Sequence, residues 1–398
     1  MRWVTRVSNG KVFVLDTVDW LEHEYTTSNA LKLEGLLGVD KGTVFPCFNL
    51  YMRYYGLHNI TIKGTHLDLK FTSTDITLVR VKGNLEGKVL VIPSIVTQIK
   101  DSVFSYKKFD SLDFSVADIS KLVSMYGAFH NCQIAKIDLS PFDTSSVVNM
   151  DSMFRNCQME ELDVSHLDTS KVVNMHNMFS SCQISKLDVS HFDTSKVTDM
   201  QGMFSSCPVK NLDVSHFDTS KVISMACMFY HCQTQELDVS RFDTSKVMDM
   251  YSMFAGCQAL KLDVSHFDTS KVTNMASMFE NCQVRELDVS HFDTSKVIDM
   301  SSMFVNCQVA KLDVSHFDTS QVVDLDCVFS GCRAKELDVS HFDTGKVTNM
   351  TYMFCNCKAE ELDVSHFDLS NVKDFSHMFK GYKGTIIGRK KFPKEAFT

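Results

Sequence analysis

The sequence contains no run of 18 or more apolar residues, so no membrane-spanning helix is expected. It has no phosphate-cradling glycine loop, no C-x-x-C pair, and no serine or cysteine uniquely matched to a histidine. These gaps argue against a nucleotide-binding loop, a zinc site and a hydrolase triad. The first residues, MRWVTRVSNGKVFVLDTVDW, do not read as a signal peptide: the apolar stretch Val12 to Leu15 is short and soon meets Asp16, Asp19, Glu22 and Glu24. A cytoplasmic location is expected, with the cell surface or secretion as the alternative. A formal net charge of −9 makes nucleic acid an unsuitable partner. No catalytic residue, cofactor or metal is predicted.

What the chain does have is a unit of 25 residues, seen clearly at Leu262 to Val284 as LDVSHFDTSKVTNMASMFENCQV. The opening leucine or isoleucine recurs at Leu112, Ile137, Leu162, Leu187, Leu212, Leu237, Leu262, Leu287, Leu312, Leu337 and Leu362, without insertion or deletion. A strict period of this size marks a solenoid. Residues 86–111 read as a transitional coil, 112–385 as the regular array, and 386–398 as a final cap strand with a basic tail, Arg389-Lys390-Lys391. Ile387 lies 25 residues after Leu362 and is expected to continue the ladder.

Residues 1–85 lack the repeat and read as a β-rich or α+β capping domain. Alternation at Thr61–Lys63, Leu67–Lys70 and Ile76–Val81 predicts strands, and Ser28–Leu37 a short helix. Both tryptophans, Trp3 and Trp20, fall here. A site lined by Asp19, His23 or His58 is the one place an enzyme could hide.

Within a unit, Leu262 and Val264 alternate as in a strand, and Phe267 follows in a turn. Val272, Met275, Met278, Phe279 and Cys282 then come at spacings of three and four, predicting a helix whose start is capped by Asp268-Thr269-Ser270. The expected fold is therefore an α/β repeat: a leucine-rich-repeat-like solenoid of about eleven strand–turn–helix coils with a β-rich N-terminal cap.

The unit LDVSxFDTSxVxxMxxMFxxC closely resembles the BspA-type leucine-rich repeats of bacterial surface antigens, and is similar to repeats of many bacterial lipoproteins. The resemblance covers about residues 90–385. It implies a leucine-rich-repeat-like solenoid and a role in binding proteins, among some members host or matrix proteins.

Stacking turns equivalent residues into columns. Ten cysteines from Cys132 to Cys357 share one register and read as buried, reduced thiols. Two aspartate columns run through Asp163 to Asp363 and Asp168 to Asp368. Their mutual repulsion needs an offset, and backbone N–H groups are the expected source, with cation binding between coils as the alternative. A histidine column runs from His166 to His366, interrupted by Arg241. The residue before each leucine mostly alternates in sign (Lys136, Glu161, Lys186, Asn211, Glu236, Lys261, Glu286, Lys311, Glu336, Glu361), which reads as register support.

The function expected is non-catalytic protein–protein recognition along the solenoid, an exported surface adhesin being the alternative. The residues singled out for partner contact are Asp263, His266, Asp288, His291, Asp313 and His316.

Overall fold

The computed structural model describes the backbone of 4–8, 11–15, 59–63, 67–71 and 76–83, and then residues 85–398 except 93–95, 115, 116, 118 and 160. The helix expected at Ser28–Leu37, both tryptophans, and Asp19, His23 and His58 lie outside the described residues. Strands β1 (Val4–Ser8), β2 (Lys11–Leu15), β3 (Asn59–Lys63), β4 (Leu67–Phe71), β5 (Ile76–Val81) and β7 (Gln98–Ile99) form one mixed sheet in that order. The strands expected at Thr61–Lys63, Leu67–Lys70 and Ile76–Val81 are thus present. Strand β6 (Leu85–Val91) pairs in parallel with β8 (Lys108–Asp113), which pairs with β9 (Gln133–Ile137). That ladder carries the chain into its repeats, with Leu112 opposite Ile137.

The array is a β-solenoid, and the expected strand–turn–helix coil is wrong in its second half. Among the described residues the only helical segments are short 3-10 turns, at Arg389–Lys391 and Lys394–Phe397. Where a helix was expected, the coil makes consecutive tight turns. The Met278 N–H donates to the Met275 carbonyl (3.1 Å), and the Cys282 N–H to the Phe279 carbonyl (3.2 Å). Between these bonds the chain passes through left-handed corners at Ser277 (φ 55°) and Asn281 (φ 52°), which no α-helix contains. The N–H groups of Met275, Ser277, Phe279 and Asn281 donate to carbonyls of the following coil, at Asp299, Ser301, Met303 and Val305. A turn closed between its first and fourth residues points both inward, and successive turns of this kind reproduce the spacing of a helical face.

The same rule builds the first half. The Phe267 N–H closes on Val264 (3.0 Å) and the Val272 N–H on Thr269 (2.9 Å). Leu262, Val264, Phe267, Val272, Met275, Met278, Phe279, Cys282 and Val284 are all buried. The strand expected at Leu262–Val264 shrinks to an isolated parallel bridge at Lys261 in the middle coils, and is a true strand only towards the ends of the array, at β8, β9 and β10 (Glu361–Asp363). A second, uninterrupted row of bridges runs from Ser124 through Asn149, Asn174 and Asp199 to Asp374.

Phenylalanine marks the axis. One ring per coil, from Phe104 to Phe379, stacks on the next with centroids 5.5–6.0 Å apart and planes within 13° of parallel. Offset stacking of this kind contributes about 0.5–1.5 kcal/mol per pair beyond area burial. The cysteine column lies beside it, buried and unpaired. Burial pushes the Cys132, Cys207 and Cys282 thiols up to about 12, so none is a thiolate at neutral pH.

The C-terminal end is closed by the chain's last residues. Strand β11 (Thr385–Ile387) pairs with β10, but Ile386 rather than Ile387 sits opposite Leu362, so the register moves by one from the 25-residue rule. Phe397 stacks on Phe379 at 5.2 Å, Phe392 meets it edge-on, and the Lys391 ammonium donates to the Ser365 and Phe367 carbonyls at 2.7 Å. The basic run thus supplies donors where a further coil would have placed its own backbone.

Three outcomes follow. Ser277→Gly raises the thermal midpoint, because glycine removes the cost of a left-handed residue, worth up to about 1 kcal/mol. A helix at this position would instead lose about 1 kcal/mol. In the opposite direction, Gly202→Ala lowers the midpoint: its Cβ would sit 2.2 Å from Asn177 Oδ1 in the left-handed region. Alkylation of the native protein followed by mass spectrometry finds the column from Cys132 to Cys357 unmodified, with Cys227 and Cys327, both half-buried, reacting first among the described cysteines.

Candidate binding surface

The two aspartate columns are corners of the coil. Asp263 Oδ1 accepts the Ser265 N–H (3.1 Å) and hydroxyl (2.7 Å), and Asp268 Oδ1 accepts the Ser270 N–H (3.0 Å). The same contacts recur at Asp288 with Ser290 and at Asp313 with Ser315. Each is an Asx turn, in which the side chain does the work of a backbone acceptor. The expected offset by N–H donors is therefore present, though at turns rather than at a helix start. A third corner escaped the sequence reading: Asn274 Oδ1 accepts the Ala276 N–H (3.0 Å), and Asp199, Asp249, Asp299 and Asp324 repeat it. Its signal was the aspartate or asparagine before most of the first methionines, with Ser124 and Ser224 in the other coils.

Threonine joins the corners of adjacent coils. Thr269 is buried, and its hydroxyl donates to the Asp293 carbonyl of the next coil at 2.9 Å, as Thr144 does to Asp168 and Thr344 to Asp368. The serine hydroxyls and N–H groups hold Asp263, Asp288 and Asp313 below the usual carboxylate range, with nearby histidines adding a smaller pull.

Histidines ride on the outside. His266, His291 and His316 are exposed. His266 packs at right angles to Phe267, and His291 Nδ1 lies 3.0 Å from the Ser290 hydroxyl. Elsewhere in the column, His191 and His216 donate through Nε2 to the Val164 and Val189 carbonyls of the preceding coil (2.8 and 3.0 Å). Among the described residues, no three His, Cys, Asp or Glu side chains converge as a metal site would.

A shallow groove opens beside the first aspartate column. One depression of about 780 Å³ spans Asn211 to Asp263, and another of about 960 Å³ spans Leu260 to Asp313; they share Leu260, Lys261 and Asp263. Asp263, Asp288 and Asp313 line the second together, whereas His266, His291 and His316 are not among its lining residues. The structure thus unites the three aspartates and leaves the three histidines outside.

The exposed lining also includes positions not singled out from the sequence: Leu260, Arg285 and Ala310, beside Lys261, Glu286 and Lys311. Glu236 and Lys261 pair through their backbones, but among the described residues no ion pair closes between their side chains. An ion pair in this region joins Lys335 to Glu360, one position earlier in the unit, at 3.9 Å. Leu260 is 57% exposed at the junction of the two depressions. The signal was available, since Leu260 is the one large apolar residue in a column otherwise polar or alanine.

Acid should loosen the array in a defined direction. Asp263, Asp268, Asp288, Asp293 and Asp313 have folded pKa values below their unfolded ones, so their stabilisation is complete above about pH 4. It is lost as pH falls through the lowered folded values. Urea midpoints at pH 7 and pH 5 should agree, and should drop between about pH 4 and pH 2. A variant carrying Asn at Asp243, Asp268 and Asp293 keeps the Asx acceptor without the charge, and should show a smaller acid drop.

Among curated proteins and among solved structures, none matches this chain. The family model described as "Mycoplasma protein of unknown function, DUF285" matches four overlapping stretches, 97–209, 123–239, 203–308 and 281–386. The matches tile the solenoid from its first coil to its last, and the chain belongs to the DUF285 repeat family.

Proposed function

We propose that the protein is a non-catalytic scaffold that recognises a protein partner through the groove lined from Asn211 to Asp313. The observation that carries this reading is the contrast within one surface. One lining row is a uniform row of aspartates held in Asx turns, whereas the exposed row beside it changes from coil to coil in charge and size. A rigid frame beside an individual row suits one extended polypeptide better than a repetitive polymer. The groove is open and shallow, which suits a segment laid along it.

The reading includes a reducing compartment, supported by the column of ten unpaired thiols. The resemblance to BspA-type repeats supports the other setting, a bacterial surface where the same groove would meet host or matrix proteins. Protease shaving of intact cells separates the two, because only a surface protein releases peptides of this chain without lysis.

Asp263, Asp288 and Asp313 changed together to Asn keep the corner acceptors and remove three negative charges. Partner binding, measured by calorimetry with the protein recovered on the immobilised array, should weaken at least about tenfold, equivalent to about 1.4 kcal/mol. Leu260→Glu should weaken it further. Circular dichroism should stay unchanged in both. Unaltered affinity in both variants rejects the groove as the contact surface. His266, His291 and His316 changed to Ala form the comparison arm, and a loss confined to that arm moves the contact to the histidine row.

A further inference from the structure

Two Asx corners beyond the groove, the coil shows a different surface. Along the uninterrupted ladder the outward residues are Val123, Val148, Val173, Thr198, Ile223, Met248, Thr273, Ile298, Val323 and Thr348. The seven apolar ones are 38–54% exposed, an uncommon fraction for valine, isoleucine and methionine in a column. The threonines do not interrupt it. Thr198, Thr273 and Thr348 each donate their hydroxyl back to the carbonyl of the preceding coil, at Val173, Met248 and Val323, 3.2–3.3 Å away. With the hydroxyl turned onto the backbone, the methyl group is left for the outer face. The result is one apolar stripe, ten residues long, on a ladder whose N–H and C=O groups already pair between coils.

The flanks differ in sign. Two residues before the stripe runs a lysine row, unbroken over Lys171, Lys196, Lys221, Lys246, Lys271 and Lys296, all exposed. One residue after it runs the third Asx row, which includes Asp199, Asp249, Asp299 and Asp324. In each of these aspartates Oδ1 accepts an N–H of its own coil. Oδ2 of Asp324 also accepts from the Asn349 amide at 3.4 Å, and at Asp199, Asp249 and Asp299 the second oxygen is the one left to face a cation.

We propose that this stripe is a self-association seam on which a second copy of the chain docks in parallel. A second copy is the occupant whose side chains repeat at this same interval over the same length, so every rung meets a rung. Its charge pattern also fits in only one direction. A two-fold axis along the rod lays stripe on stripe and places the lysine row of one copy against the Asx row of the other, with Lys196 facing Asp199, Lys246 facing Asp249 and Lys296 facing Asp299. An axis across the rod would set lysine against lysine. The area is sufficient: nine steps of about 4.8 Å, with flanks about 15 Å wide, cover roughly 650 Å² per partner, so roughly 1,300 Å² in total exceeds the about 1,000 Å² a specific interface requires. The seam lies apart from the proposed groove, so it can fail or hold independently of partner recognition.

The test is sedimentation equilibrium of the full chain over a wide concentration range. The expected result is a reversible dimer. Ile223→Lys with Ile298→Lys should weaken it at least about a hundredfold without altering circular dichroism, as two apolar anchors per copy are lost. Lysine is tolerated in this column, since Lys373 occupies it in the final coil with its N–H bonded to Thr348 at 2.9 Å or less. The direction is read from charge exchange. Lys196→Glu alone should weaken the dimer, and Lys196→Glu with Asp199→Lys should restore it. One chain's mass at every concentration overturns the proposal, even if the stripe then captures another protein or a vesicle. A dimer unaffected by the two isoleucine changes also overturns it, and failure of the charge exchange to restore binding overturns the parallel arrangement.

Discussion

Each coil is held chiefly by its two neighbours, and the contact between neighbours has to be the same every time. The phenylalanine stack shows what this demands: ring sits on ring from Phe104 to Phe379, and Phe397 of the tail covers the last. Fixing the backbone of one coil costs on the order of 25–50 kcal/mol of chain entropy, far more than a coil's own turns return. Neighbouring coils must supply the difference through ring contacts, ladder bonds and the threonine-to-aspartate bridges. One inserted residue would turn every column after it out of register at once. That is the physical reason for a strict period, and for the covering of the last coil by Phe392, Phe397 and Lys391.

The corners then explain the monotony of the sequence. Side-chain-capped turns, Asx in most coils and serine at Ser124 and Ser224, together with two left-handed residues bend the chain in each coil, and each has a chemical requirement. Aspartate or asparagine supplies the acceptor at Asp263, Asp268 and Asn274. Glycine, asparagine or serine recurs at the left-handed positions, as at Gly202, Gly256, Asn306 and Ser302. Columns of like residues therefore report folding needs, and a functional reading of the aspartate rows for their own sake is weakened. Their carboxylates are committed to backbone donors before any partner arrives.

This distinction decides what could be read from the sequence. The period, the direction of stacking, the buried thiols and the burial of Met275, Met278, Phe279 and Cys282 were legible, because they depend on spacing alone. The coil's secondary structure was not. Tight turns closing on their fourth residue place apolar groups three and four apart, as a helix does, so periodicity cannot separate the two. Composition could have done so: Gly127 and Gly202 share one column, and Gly256, Gly331 and Gly381 another four residues on, inside the supposed helix. The groove was hidden for a different reason. Asp263, Asp288 and Asp313 were chosen because they repeat, while Leu260, Arg285 and Ala310 went unnoticed because they do not.

A repetitive rod faces a choice at its surface that a globular domain does not. Any outward position copied in every coil becomes a continuous stripe, and a stripe of one kind matches most readily another copy of itself. Any outward position free to drift becomes a row of individual residues, and such a row can distinguish one partner from another. Both kinds occur here, two corners apart in the same coil. The row through Leu260, Arg285 and Ala310 varies in charge and size, whereas the row through Val148, Ile223 and Ile298 stays apolar or hides its hydroxyls. Selection on the first row would act coil by coil, and selection on the second would act on the whole length at once. On the two proposals, self-pairing and partner recognition fall on separate sides of the coil because their residues repeat in different ways.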